Sequence, residues 1–125
     1  MSSQDNKENV RKGYDAFMKG DAEGALATLT DDAEYVITGD NTVAGTYRGK
    51  EEIAGFWGQL GEKEFQVAPR EFIADGDKVV VLDTYTVGGD SVDVADVLTC
   101  NSDGQITRFE SFGGHEVLDR VFAKE

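Results

Sequence analysis

The sequence is poor in cysteine, proline, histidine and positive charge. Its one cysteine, Cys100, cannot close an internal disulfide, and that usage fits a reducing cytoplasm. One proline, Pro69, in 125 residues leaves no material for a stiff linker. One histidine, His115, and one cysteine supply no ligand spacing, so no metal is expected. Lys and Arg total 12 against 25 Asp and Glu, a formal charge of −13. That field repels nucleic acid and anionic lipid, and no basic stripe offsets it, so neither nucleic acid nor membrane is expected as a partner. No apolar run approaches the ~20 residues of a membrane span, and residues 1–9 hold no apolar leader core. No P-loop, dinucleotide fingerprint or nucleophile motif appears, and no cofactor is expected.

What is present is a globular composition, 39% hydrophobic and 30% charged, with fifteen glycines for turns and caps. The length suits one domain over 1–125. Val10, Tyr14, Phe17 and Met18 recur at helical spacing behind Ser2 and Ser3, and Gly20 ends the run. Asp21 caps a second helix with Ala22, Ala25, Leu26 and Leu29 on its inner face. Thr30, Asp31 and Asp32 break it, and a strand is expected over about 33–38. Residues 39–49 carry loop chemistry. Ile53, Phe56, Trp57 and Leu60 mark a third helix, with Glu51 and Glu52 in its first turn and Gly61 past its end.

From Glu64 the period changes to two. Strands are expected at about 65–73, 78–87, 91–100 and 105–112. Asp75-Gly76, Gly88-Gly89-Asp90 and Asp103-Gly104 join them, each a hairpin signal, so the sheet is an antiparallel meander. Pro69 implies an edge strand or a bulge. The fold class is therefore α+β, with three N-terminal helices packed on a curved, mainly antiparallel sheet. The helices close the concave face only partly, which leaves a pocket.

One residue on that sheet stands out chemically. Val92, Val94, Asp96, Leu98 and Cys100 share a face, and a carboxylate on an apolar face is costly unless partnered or protonated. Asp96 is then a candidate acid or oxyanion donor. The plainer readings are an aspartate bonded to a tyrosine or a backbone amide, or an inward Asp93 with Asp96 outside. Asp83 lies opposite Asp96 if the turn is Gly89-Asp90. With a three-residue loop Asp96 faces Leu82, and the simpler expectation puts Asp83 toward solvent or a dimer face. Tyr14, Tyr35, Phe56, Trp57, Phe109 and Phe112 are candidates for an aromatic lining. Phe56, with Phe17 and Leu60, is better read as plain core. His115 reads as a tail residue, with capping of the pocket mouth as the alternative.

The order of these pieces resembles the nuclear transport factor 2-like superfamily, in its SnoaL-like and ketosteroid isomerase-like branch. The residues that carry the resemblance are Tyr14 ahead of Gly20-Asp21, Asp31-Asp32-Ala33 entering a strand, and Gly45-Thr46-Tyr47-Arg48-Gly49-Lys50-Glu51-Glu52-Ile53 opening a helix. Asp75-Gly76 and Asp103-Gly104-Gln105-Ile106 complete it. The resemblance implies a cone-shaped domain with an apolar cavity, and a homodimer formed through the outer face of the sheet. In ketosteroid isomerases a carboxylate base works with an oxyanion hole built from a tyrosine and a protonated aspartate. By resemblance Asp96 takes the place of that aspartate, and Tyr14 lies one residue from that tyrosine. The base falls at Ile37, which cannot take a proton and argues against ketosteroid isomerase activity. Three functions remain open. The chain is a small enzyme moving protons on an apolar substrate through Asp96 and Tyr14. Or it binds a small apolar or aromatic molecule without catalysis, through Tyr35, Ile37, Trp57, Asp83, Phe109 and Phe112. Or it is a dimeric interaction module.

Overall fold

The protein is represented by a computed structural model that describes residues 2–124; the side chain of His115, a candidate above, lies outside the described residues. Among the described residues the chain runs α1 (Ser3–Met18), α2 (Ala22–Leu26), β1 (Leu29–Ile37), β2 (Gly45–Arg48), α3 (Gly49–Gly61), β3 (Gln66–Asp75), β4 (Lys78–Val87), β5 (Asp90–Cys100), β6 (Ile106–Phe112) and α4 (His115–Val121). The strands form one sheet in the order β2-β1-β6-β5-β4-β3. Neighbours are antiparallel except β1 and β6, which run parallel.

Local chemistry accounts for most boundaries. The Ser2 hydroxyl accepts from the Asp5 amide at 3.1 Å while Asp5 accepts from the Ser2 amide at 3.3 Å, a reciprocal cap on α1. Asp21 accepts from the Gly24 amide at 2.9 Å and starts α2. Pro69 lies on the edge strand β3, and the ladder shifts between Pro69 and Glu71, so the edge and the bulge expected of it occur together.

Three elements differ from the sequence reading. Leu29 does not close α2; it pairs with Ile106 and opens β1, because a five-residue helix cannot compete with a parallel ladder. Gly45–Arg48, expected within a loop, is β2, held by pairing with β1 from Glu34↔Arg48 to Ile37↔Gly45. The segment after Gly113-Gly114, read as a tail, forms α4 and buries Val117, Leu118 and Phe122. Seven residues give too little periodicity to recognise such a helix from sequence.

The core lies between the helices and the concave face of the sheet. Val10 of α1, Ile53 and Phe56 of α3, and Val79, Val81 and Leu98 of the sheet are all buried there. Each apolar side chain so removed from water contributes roughly 1.5–3 kcal/mol.

Gly114 sets the entry of α4. Its φ is +75°, and a Cβ there would stand 2.7 Å from Val94 Cγ1 and 3.3 Å from Val92 Cγ1. Val94 is buried and β-branched, so it cannot swing aside. Gly114→Ala is expected to destabilise the fold by about 1–3 kcal/mol, read as a lower urea midpoint. An unchanged midpoint would show that α4 docks without this constraint.

Candidate functional site

Between α1, α3, α4 and the sheet lies a cavity of about 80 Å³, several times what one water needs (~10–15 Å³). Its wall is mainly apolar and aromatic. Val10, Tyr14 and Phe17 come from α1, Phe56, Trp57 and Leu60 from α3, and Leu118 from α4. The sheet adds Tyr35, Ile37, Tyr85, Leu98 and Phe109, with Asp96 and Ser111 as its polar groups.

Asp96 is fully buried. It stands at the centre of the sheet, opposite Val81 on β4 and Ser111 on β6. Tyr14 donates its hydroxyl to Asp96 Oδ2 at 2.7 Å, and Tyr85 donates to Oδ1 at 2.7 Å. Ser111 Oγ lies 3.4 Å from the Tyr85 hydroxyl. Both Asp96 oxygens are therefore acceptors, the bonding pattern of a carboxylate rather than of a carboxylic acid. Burial is the main cause that drives the Tyr14 and Tyr85 hydroxyls well above their ordinary pKa, and the Asp96 charge adds to it. Burial, then Asp96, raises Tyr35 in the same way. Tyr14 and Tyr85 thus remain O–H donors at any physiological pH.

Asp83 corrects two expectations. The turn is Gly88-Gly89, bounded by Val87↔Asp90, so Asp96 faces Val81 rather than Asp83 or Leu82. The dyad survives on a diagonal. Asp83 faces Val94, two residues from Asp96 on the same side of the sheet. It points inward and is fully buried, not toward solvent. Its cross-strand neighbours are Pro69 and Val94, which bring no side-chain donor. Neither Asp83 oxygen has a hydrogen-bond donor among the described residues. Burial first, and then the Asp96 carboxyl beside it, push the Asp83 pKa up to about 10, with its own backbone amide and then Arg70 opposing. Asp83 is therefore a neutral acid at pH 7.

The aromatic candidates separate into two groups. Tyr35 stacks on Phe109 with centroids 4.3 Å apart, and Trp57 meets Tyr35 edge-on at 5.9 Å. These three, with Ile37 and Tyr14, line the cavity, and so do Phe17, Phe56 and Leu60, which the sequence reading took as plain core. Phe112 does not: it is 48% exposed on the opposite face, one residue past inward Ser111, because strand side chains alternate. Asp83 is not among the residues that line the cavity. Tyr85 and Ser111 were not singled out in the sequence. The signal for Tyr85 was its place two residues from Asp83 on β4, which has meaning only once the register is known. Groups of three or more metal-ligating side chains are absent among the described residues, and so is any helix long and apolar enough to cross a membrane.

A family model described as the SnoaL-like domain matches residues 10–109. No curated protein matches the chain in sequence. Among solved structures, the chain is similar to an NTF2-like protein of unknown function from Burkholderia pseudomallei, at 28% identity over 99% of this chain and 100% of that one, TM-score 0.84. It is similar to an NTF2-like protein from Burkholderia xenovorans, at 27% identity over 98% of each chain, TM-score 0.81. It is also similar to TerC, co-crystallised with polyporic acid, at 28% identity over 96% of this chain and 99% of that one, TM-score 0.83.

The raised Asp83 pKa has a stability consequence with a definite sign. The folded chain holds a proton on Asp83 that the unfolded chain loses above about pH 4. That contribution is complete below the unfolded pKa and is lost as pH rises toward the folded value of about 10. The slope approaches ~1.4 kcal/mol per pH unit for one proton. Asp83→Asn carries no titrating proton. Urea unfolding between about pH 5.5 and pH 7.5 should therefore show wild type losing on the order of 3 kcal/mol relative to Asp83→Asn. Parallel stability curves for the two would place an ionised Asp83 in the fold.

Proposed function

The chain belongs to the SnoaL-like domain family, and from that premise we propose that it binds a small apolar or aromatic molecule in its cavity and moves a proton on it through Asp96. The observation that carries this reading is the buried carboxyl on an apolar wall with a tyrosine hydroxyl on each oxygen. The two hydroxyls hold this carboxylate in one orientation at the cavity wall, where it can accept a proton from a molecule bound there. The reaction class is isomerisation or aldol-type cyclisation, each of which begins with removal of a proton from a carbon next to a carbonyl; hydration of a conjugated double bond would use the same groups in reverse, ending with a proton delivered to that carbon.

In this reading Asp96 accepts the proton from the bound molecule and becomes a carboxylic acid, while the electron pair left behind moves onto the ligand's oxygen. The negative charge has then left Asp96. Tyr14 and Tyr85, which remain protonated, are the donors able to follow it to the new oxyanion. Asp96 then returns the proton at a different position. Ile37, in the place where the resemblance puts a ketosteroid isomerase base, lines the cavity as a plain apolar surface. The base and the donors therefore belong to one cluster rather than to opposite walls. TerC's co-crystallisation with polyporic acid makes that compound a reasonable first probe.

A panel of polyporic acid, steroid enones and polyketide phenols is titrated against Trp57 fluorescence. Each binder is then incubated in D2O and followed by mass spectrometry for deuterium uptake at carbon. At least one binder should exchange faster with wild type than with buffer, and Asp96→Asn should lower that rate by 100-fold or more, on the order of a general base's contribution. Binding with no exchange by any compound would favour a non-catalytic binder, and equal exchange by Asp96→Asn would remove Asp96 as the base.

A further inference from the structure

The second buried carboxyl has no part in the mechanism above. Asp83 is as inaccessible as Asp96, yet its cross-strand neighbours are Pro69 and Val94, and among the described residues neither of its oxygens has a hydrogen-bond partner. Leaving a buried acid without partners costs several kcal/mol if it is charged. The polar group that meets it across the hairpin is Asp96. Two carboxyls can meet favourably only through a proton carried by one of them. Asp96 already accepts a hydroxyl hydrogen bond on each oxygen, from Tyr14 and Tyr85, so the carboxyl that carries the proton is Asp83.

We propose that Asp83 and Asp96 hold one proton between them, Asp83 donating it toward Asp96 and so keeping Asp96 charged and ready to accept a proton from the cavity. Asp83 is then a positioning residue, and its role in turnover rests on the proton-transfer reading above. The proton count balances simply. At rest the pair holds one proton and one negative charge. When Asp96 takes a proton from the ligand the pair holds two protons and no charge, and the ligand carries the charge until the proton returns. The charged and titratable groups that face the pair are Tyr14 from α1, Tyr85 from β4 and Arg70 from β3, with Tyr35 from β1 facing Asp96. Both tyrosines in contact with Asp96 are held protonated by burial, and Arg70 acts on Asp83 in the opposite sense. Arg70 is exposed and screened by solvent, so it does not undo the pairing.

The test needs no ligand. Carboxyl carbons of 13C-labelled aspartates are followed by NMR across a pH titration of the intact protein. Wild type should show two linked steps, one in the acid range and one far above it, with the upper step on the Asp83 carbon. Asp83→Asn, whose amide imitates the neutral acid as a donor, should lose the upper step and keep the lower one. Asp83→Leu removes the donor, and the Asp96 carbon should then titrate about one pH unit or more higher than in wild type. Circular dichroism checks that each variant is folded, and the wild-type titration stands even where a variant is not. An Asp83 carbon that titrates in the ordinary carboxylate range would overturn the proposal. So would an Asp96 midpoint that Asp83→Leu leaves in place. A two-step titration in a protein that exchanges no ligand proton would leave the pair intact and sink only the catalytic reading.

Discussion

The two-glycine turn between β4 and β5 is the constraint on which the polar chemistry of the cavity depends. Gly88 and Gly89 both have positive φ, +57° and +91°, a combination that tight hairpins require and that side chains resist. That turn pairs Val87 with Asp90 and sets every later pair on the ladder. Asp83 and Tyr85 on one strand and Asp96 on the other consequently share the inner face. A slip of one residue would turn one strand's set toward solvent, leaving either Asp96 or its Tyr85 partner outside.

Around that register the remaining elements act as a lid over one polar cluster. α1 brings Tyr14 down onto Asp96, and its ring meets Phe72 of β3 edge-on at 5.8 Å. α3 contributes Trp57 to the aromatic group formed with Tyr35 and Phe109. α4 closes with Leu118, and its Asp119 accepts from the Asp40 amide and the Asn41 side chain at 2.9 and 2.8 Å. The apolar walls and the polar cluster support one another. Water-poor surroundings strengthen the Tyr14–Asp96 and Tyr85–Asp96 bonds, and those bonds offset the cost of placing a carboxylate there.

Charge in this site is held at few positions. The surface carries many acids, and ion pairs such as Arg120–Asp90 at 2.9 Å and Lys124–Asp40 at 2.8 Å are exposed and contribute little to stability. Inside, Asp83, Asp96 and Tyr85 share the sheet's inner face and Tyr14 reaches Asp96 from α1, with no cation among the residues that line the cavity. Such a cluster tolerates one negative charge far better than two. For that reason the protonation of Asp83 and the bonding of Asp96 belong to a single problem.

Much of the architecture was legible in the sequence because its signals are local. Helical spacing in α1 and α3, the caps at Ser2 and Asp21, the period-two pattern from Glu64 and the glycine turns each depend on residues a few positions apart. Even Asp96 could be recognised, as a carboxylate on an alternating apolar face. The sequence alone thus determined the α+β class and the meander, and offered Asp96 as a candidate without deciding between it and Asp93 for the inner face. Tertiary structure decided what depends on distant partners: β2 by pairing with β1, α4 by burying Leu118, and Phe112 by which side of β6 faces outward. It also decided the site's chemistry, because Tyr14, Tyr85 and Asp83 reach Asp96 only through helix packing and a one-residue choice of register, and composition and spacing are blind to both.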